Sequence, residues 1–249
     1  MKTSHFAILL AGLFSSAVSA APISATINDN YWGADGHGYG DVIGGSFFDI
    51  AKLQVTITGG ALSVKVYTNF KEGDPRSYGF GYGDLFISTD GWHPYGTAAN
   101  QYRYDNASNG EDWEFVFDTS EGRLYTGAYT TLLSDNLIPP GYIYRNGQEV
   151  MRGSGGLLVG AQQPVVYGSE SYLGSNINTL EYRMSLSDLG VGDGDTLGFK
   201  WGMYCANDTI EGAVSLPFTP SGHVPEPASW ALLLVGAAGL GFARRKSRR

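Results

Sequence analysis

The sequence predicts an all-β protein: a single antiparallel β-sandwich, jelly-roll-like, with an N-terminal signal helix and a C-terminal short transmembrane helix. Three observations carry this. Hydrophobic residues in the central part recur with a period of two, the spacing of a half-buried strand, rather than 3.6. Glycine makes up 36 of 249 residues, about twice its usual share, as a fold with many tight turns requires. Continuous apolar runs stand at the two ends, and no long helical segment is expected between residues 21 and 223.

The N-terminal element comes first in the chain. Lys2 and His5 precede the apolar run 6–14, and Val18-Ser19-Ala20 supplies a small-residue exit. A positive start, a short apolar segment and a small-residue cleavage site are the parts of a secretory signal peptide, so residues 1–20 are expected to be removed after Ala20. The ectodomain, 21–217, is of a size for one domain. In it Leu53, Val55 and Ile57 alternate with Gln54, Thr56 and Thr58, and after Gly59-Gly60 the alternation resumes at Leu62, Val64 and Val66. That reads as a β-hairpin. Trp113, Phe115 and Phe117 mark another strand face. A second hairpin is expected from 142–145 and 148–152 around Asn146-Gly147, a strong two-residue turn signal. Leu180, Tyr182, Met184 and Leu186 form one further face, and Leu197, Phe199, Trp201 and Met203 another.

A linker, 218–223, leads to the last element, 224–249. Its apolar run, from Ala228 to about Ala243, holds no charge and is followed at once by Arg244, Arg245, Lys246, Arg248 and Arg249. A spanning helix needs about 20 apolar residues, so the run is short for a permanent anchor. The basic cluster would stay cytoplasmic and place residues 21–223 outside, in agreement with the signal peptide. Pro225-Glu226-Pro227 precedes the run; two prolines keep the backbone extended and unpaired where a membrane-edge protease would meet it.

Val-Pro-Glu-Pro, a short apolar helix and an Arg-rich end, in that order within the last 26 residues, resemble the PEP-CTERM sorting signal of Gram-negative bacteria. The resemblance implies that Pro225, Glu226 and Pro227 are recognised by an exosortase, a membrane-embedded cysteine transpeptidase-like enzyme. It implies an inner-membrane-anchored precursor that is then released to the cell surface or extracellular matrix. A plain single-span anchor is the competing reading. Three inner blocks, "GDLFISTDGW" (83–92), "EDWEFVFDTS" (111–120) and "LEYRMSLSDLGVGDGDTLGFKWGMYCANDTIEG" (180–212), are also similar to PEP-CTERM surface proteins. Those often close their globular part with Cys-Gly-Asn-Asp; here Ala206 replaces the glycine. The third block also resembles the closing strands of DOMON and family-9 carbohydrate-binding-module sandwiches, in which a short turn of helix and a Gly-Asp-rich loop precede the last long strand.

Charge and motif content bound the activity. The whole chain carries −8; six of its 16 bases and one of its 24 acids lie in the two end segments, so the ectodomain is near −13. That excludes a phosphate-neutralising surface, and no nucleic-acid partner is expected. Cys205 is the sole cysteine, so no internal disulfide forms, and a buried structural thiol is expected. No nucleophile elbow, zinc motif or Cys/His cluster occurs. The repeated Gly-Tyr-Gly-Asp strings, 38–41 and 81–84, lack the strand-to-helix context of a phosphate loop and read as two similar loops entering strands. The expectation is a non-enzymatic surface or matrix protein with a structural or adhesive role in exopolysaccharide or biofilm, without a cofactor. The alternative is a carbohydrate-binding protein, possible partners being extracellular polysaccharides: Trp32, Tyr39, Trp92 and Tyr95 fall in glycine-rich loops where rings can stack on sugars, although such rings also cap sandwich cores. Calcium is a further candidate, at Asp193, Asp195 and Asp208, which offer hard oxygens on turn-like backbone; Asp-Gly equally marks ordinary turns.

Overall fold

The computed structural model describes residues 22–30, 41–95, 105–132 and 147–216, with Tyr142, Tyr144 and Arg145. The expected signal helix and the segment 218–249 lie outside them, as do Trp32 and Tyr39. Among the described residues no helix is long and apolar enough to cross a membrane.

The described chain is mostly strand. In order come β1 (Ile23–Asn28), β2 (Ile50–Thr58), β3 (Ala61–Thr68), β4 (Leu85–Ser88), β5 (Phe115–Asp118), β6 (Arg123–Leu132), β7 (Glu149–Val159), β8 (Val166–Tyr172), β9 (Ser175–Ser185), a one-turn helix α1 (Leu186–Leu189), β10 (Thr196–Gly202) and β11 (Thr209–Ser215). They form two antiparallel sheets, ordered β1-β2-β3-β9-β8 and β11-β10-β4-β5-β6-β7. The β2–β3 hairpin is the one expected, with Val55 opposite Val64 and with Gly59 and Gly60 both at positive φ, as its two-residue turn demands. Strand β9 follows its alternation only to Ser185. There the Ser185 hydroxyl accepts from the Ser187 N–H, α1 begins at Leu186, and Gly190 ends it in the left-handed conformation.

The hairpin expected at Asn146-Gly147 is replaced by another pairing. Strand β7 pairs with β6, Met151 lying opposite Thr131, and the described residues of 142–145 form no strand. The reason lies in Arg145 and Tyr144, both buried. The Arg145 guanidinium donates to the main-chain carbonyls of Asn207 (2.9 Å), Ala206 (3.3 Å) and Asp41, so the segment plugs a corner of the sandwich.

The inner faces meet in one core. Leu53, Val64, Leu180 and Tyr182 from one sheet pack with Leu85, Phe117, Phe199 and Trp201 from the other, and each such side chain contributes about 1.5–3 kcal/mol by burial. Its polar atoms are paired: the Trp201 indole donates to the Tyr182 hydroxyl (2.8 Å), which also meets the Thr119 hydroxyl (3.1 Å). Cys205 is fully buried and reduced, and burial pushes its thiol up to about 12.

Strand β4 enters through the second Gly-Tyr-Gly-Asp string. The Gly83 N–H donates to the Gly202 carbonyl (3.1 Å) and the Asp84 N–H to Val150 (2.9 Å). The buried Asp84 carboxylate accepts from the backbone N–H groups of Thr119 (2.7 Å) and Arg152 (2.6 Å), joining β4 to the β5–β6 turn and to β7. Burial pushes this carboxyl up to about 6 against those two hydrogen bonds. A side chain at Gly83 would run into the carbonyl oxygens of Gly202 and Val150, so the glycine answers a steric demand of sheet entry. Gly83→Ala should therefore lower the unfolding free energy by about 1–3 kcal/mol in a denaturant titration. Gly192→Ala, where an added methyl meets nothing within 4 Å, should change it by less than about 0.5 kcal/mol.

Candidate functional site

One corner of the sandwich gathers four acids from three stretches of chain. Asp29 follows β1, Asp49 immediately precedes β2, Asp208 immediately precedes β11, and Asp41 opens the segment that leads to β2. Backbone geometry holds them there. Ile43 donates its N–H to the Asn207 carbonyl (2.8 Å) while the Asn207 side chain donates back to the Ile43 carbonyl (2.9 Å), clamping the two segments together. The Asp49 carbonyl accepts from Asn69 and from the Thr68 hydroxyl, each at 2.8 Å. Ala206 sits at φ 48 in the same turn, a left-handed conformation that costs an alanine about 1–2 kcal/mol and that a glycine takes freely. A glycine at this position would avoid that cost, and the fully buried Ala206 methyl offsets part of the strain.

Asp208 is fully buried, its Oδ2 accepting from Ile50 N–H (2.7 Å) and its Oδ1 from Thr209 N–H (2.9 Å), with Arg145 3.9 Å away. Single carboxylate oxygens of Asp29, Asp41 and Asp49 lie within 4.8 Å of one another. Burial pushes Asp29 up to about 11, aided by the negative charges of Asp208, Asp41 and Asp49. Burial also raises Asp41, Asp49 and Asp208, the Arg145 charge opposing the rise at Asp41 and Asp208.

The structure does not bring the expected calcium ligands together. Asp193 and Asp195 stand in the exposed turn before β10, where Asp195 Oδ2 accepts from Gly192 N–H (2.8 Å) and closes its own loop. Asp208 lies beyond the far end of β10, seven residues of extended chain away, on the order of 23 Å. Asp29, Asp41 and Asp49 carry no local sequence signature; the one available signal was that Asp41, like Asp84, closes a Gly-Tyr-Gly-Asp string ahead of a strand.

Trp92 is less free than its loop position suggests. Its indole N–H donates to Glu211 Oε1 (2.6 Å), a buried carboxylate 3.8 Å from the buried Lys200 ammonium. Lys200 also binds Glu149 (2.8 Å) and Gln148 (2.9 Å), so this ion-pair network lies under the 88–95 loop on the outer face of the six-stranded sheet. Burial raises Glu211 to about 8 despite the Lys200 charge. Tyr95, in the same loop, is 50 % exposed. Beside it Asp90, His93 and Glu111 form a second group of close ligand atoms, with the His93 side chain 71 % exposed. A cleft of about 620 Å³ opens between the β2–β3 turn and α1, away from these rings, over Phe117, Leu124, Met184 and Leu186.

The fold is an acidic antiparallel sandwich, and a sorting element follows it in the chain. Residues 223–249 match the PEP-CTERM protein-sorting motif, which covers Pro225, Glu226, Pro227 and the basic cluster from Arg244 to Arg249. That motif marks an exported protein, held transiently in the membrane and processed by an exosortase. No curated protein and no solved structure matches the chain.

Because Trp92 donates to a buried carboxylate, Trp92→Phe should cost about 1–3 kcal/mol of stability by leaving Glu211 short of a donor. Thermal denaturation reads this without any ligand. Tyr95→Phe, with half its surface in solvent, should leave the midpoint within about 2 °C.

Proposed function

We propose that the protein is a non-catalytic surface or matrix component, delivered by its sorting element to the cell surface or the extracellular polysaccharide, where the sandwich serves a structural or adhesive role. The match at 223–249 carries the delivery half of this reading. The acidic ectodomain, near −13, supports it as a well-solvated surface that keeps its distance from polyanions. A second reading, carbohydrate binding, draws support from exposed aromatic rings. Tyr78, 60 % exposed and held at φ 54, meets Tyr142 edge to face at 5.2 Å, and Tyr142 in turn meets Phe80. That cluster offers flat apolar surface with hydroxyl rims, better suited to a sugar than Trp92, which is engaged with Glu211. Loss of glycan-array binding on Tyr78→Ala but not on Trp92→Phe would favour this second reading.

Mass spectrometry of the protein from its own host tests the delivery reading. The mature chain should end at or near Pro225-Glu226-Pro227 and appear in the surface or matrix fraction. Replacing Pro225 and Pro227 with alanine lets helical structure extend outward over the cleavage segment, so the longer form should accumulate in the membrane. Wild-type protein that keeps Arg249 and stays in the membrane fraction of a host with active exosortase would overturn it.

A further inference from the structure

Three features of the acidic corner go together. Its oxygens are crowded, those of Asp29, Asp41 and Asp49 lying within 4.8 Å of one another. Both oxygens of Asp29 and Oδ1 of Asp41 are sealed from solvent and accept no hydrogen bond, as is the side-chain oxygen of Asn207, a residue only 4 % exposed. Buried carboxylates without partners are among the costliest groups a fold can hold. The group that faces Asp29 is Asp208, with which it can share a hydrogen bond only when one of the two carries a proton, and whose oxygens already hold the Ile50 and Thr209 N–H groups. The charge of Arg145 reaches this corner, 3.9 Å from Asp208 Oδ1, and the same guanidinium also donates to the carbonyls of Asp41, Ala206 and Asn207. Among the described residues, four carboxylates against one guanidinium leave a formal excess of negative charge that a cation would neutralise.

We propose that Asp29, Asp41 and Asp49 bind one divalent cation of the calcium class, with Asp208 behind them as a fourth negative charge. The donor set is all hard oxygen, with no nitrogen or sulfur, which selects calcium-like ions over zinc or copper. Calcium takes oxygens at about 2.3–2.6 Å in a flexible geometry, so ligands on one ion stand at most about 5 Å apart, and the separations here comply. The ion cross-links the end of β1 to the segment that leads into β2, with Asp208, at the start of β11, behind it. This site is independent of the sorting element.

The test uses the full chain in detergent, stripped with a chelator and then titrated with calcium chloride or magnesium chloride. Calcium at a hundredfold excess over its Kd should raise the melting temperature by about 5–10 °C. Isothermal titration should show one site, and magnesium should give a smaller shift. Asp29→Asn should abolish the calcium shift while leaving the chelated protein at least as stable as wild type, because it removes one repelling charge. Asp195→Asn should retain the shift. A wild-type chain that neither binds calcium nor gains stability from it would overturn the proposal and leave a proton shared between Asp29 and Asp208 as the neutralising agent. So would a calcium shift that survives Asp29→Asn and Asp41→Asn.

Discussion

The two sheets are fastened at one corner by a single buried carboxylate. Asp208 accepts the N–H of Ile50, where β2 starts in one sheet, and that of Thr209, where β11 starts in the other. Hydrophobic packing holds sheets face to face but leaves them free to slide; two charge-assisted hydrogen bonds to strand starts fix where each strand begins. Everything nearby then follows. The carboxylate calls for Arg145, Arg145 is buried against the turn at 206–208 and forms no strand, and the Asn207 clamp brings Asp41 against Asp29 and Asp49. The left-handed backbone at Ala206 is the local cost of turning sharply enough to place Asn207 and Asp208.

The outer face of the six-stranded sheet shows a related economy. Lys200 points away from the core yet is 2 % exposed, because the 88–95 loop and Gln148-Glu149 close over it. An ammonium in that position requires partners on every side, and Glu149, Glu211 and Gln148 provide them. Trp92 completes the shell by donating to Glu211. A tryptophan in a glycine-rich loop is thus explained by the charge beneath it before any ligand is invoked.

Much of the fold was legible because period-two alternation is a direct imprint of one-sided burial: 53–57 and 62–66 face the core residue by residue as their pattern says. Asn146-Gly147 misled because turn propensity is local, whereas the fate of 142–145 was decided by Arg145 reaching residues 61 and 62 positions away. Strand β8 was hard to see for the opposite reason. It lies at an edge with nearly every side chain exposed, so its composition carries no alternation to read. The acidic corner was legible only at Asp208, for a third reason: its members are spread from residue 29 to residue 208, and only the topology that lays β1 and β11 near β2 assembles them. Sequence grouped Asp208 with the nearest acids instead, Asp193 and Asp195, whose proximity to each other in the chain serves a turn.

The sandwich and the sorting element are separable in a way that suits their two tasks. The described fold closes at Leu216, buried and donating its N–H to the Asp195 carbonyl at 2.7 Å, so the last strand is tied down on both sides of its end. Eight residues lie between Leu216 and Pro225, a reach of at most about 30 Å when fully extended. A membrane-edge enzyme that cuts beside Pro225-Glu226-Pro227 therefore removes no strand and no core residue among those described. The reach is also short, which holds the acidic domain close to the membrane until the cut is made. Stability resides in the 22–216 unit and address in 223–249, and a change that weakens one leaves the chemistry of the other intact.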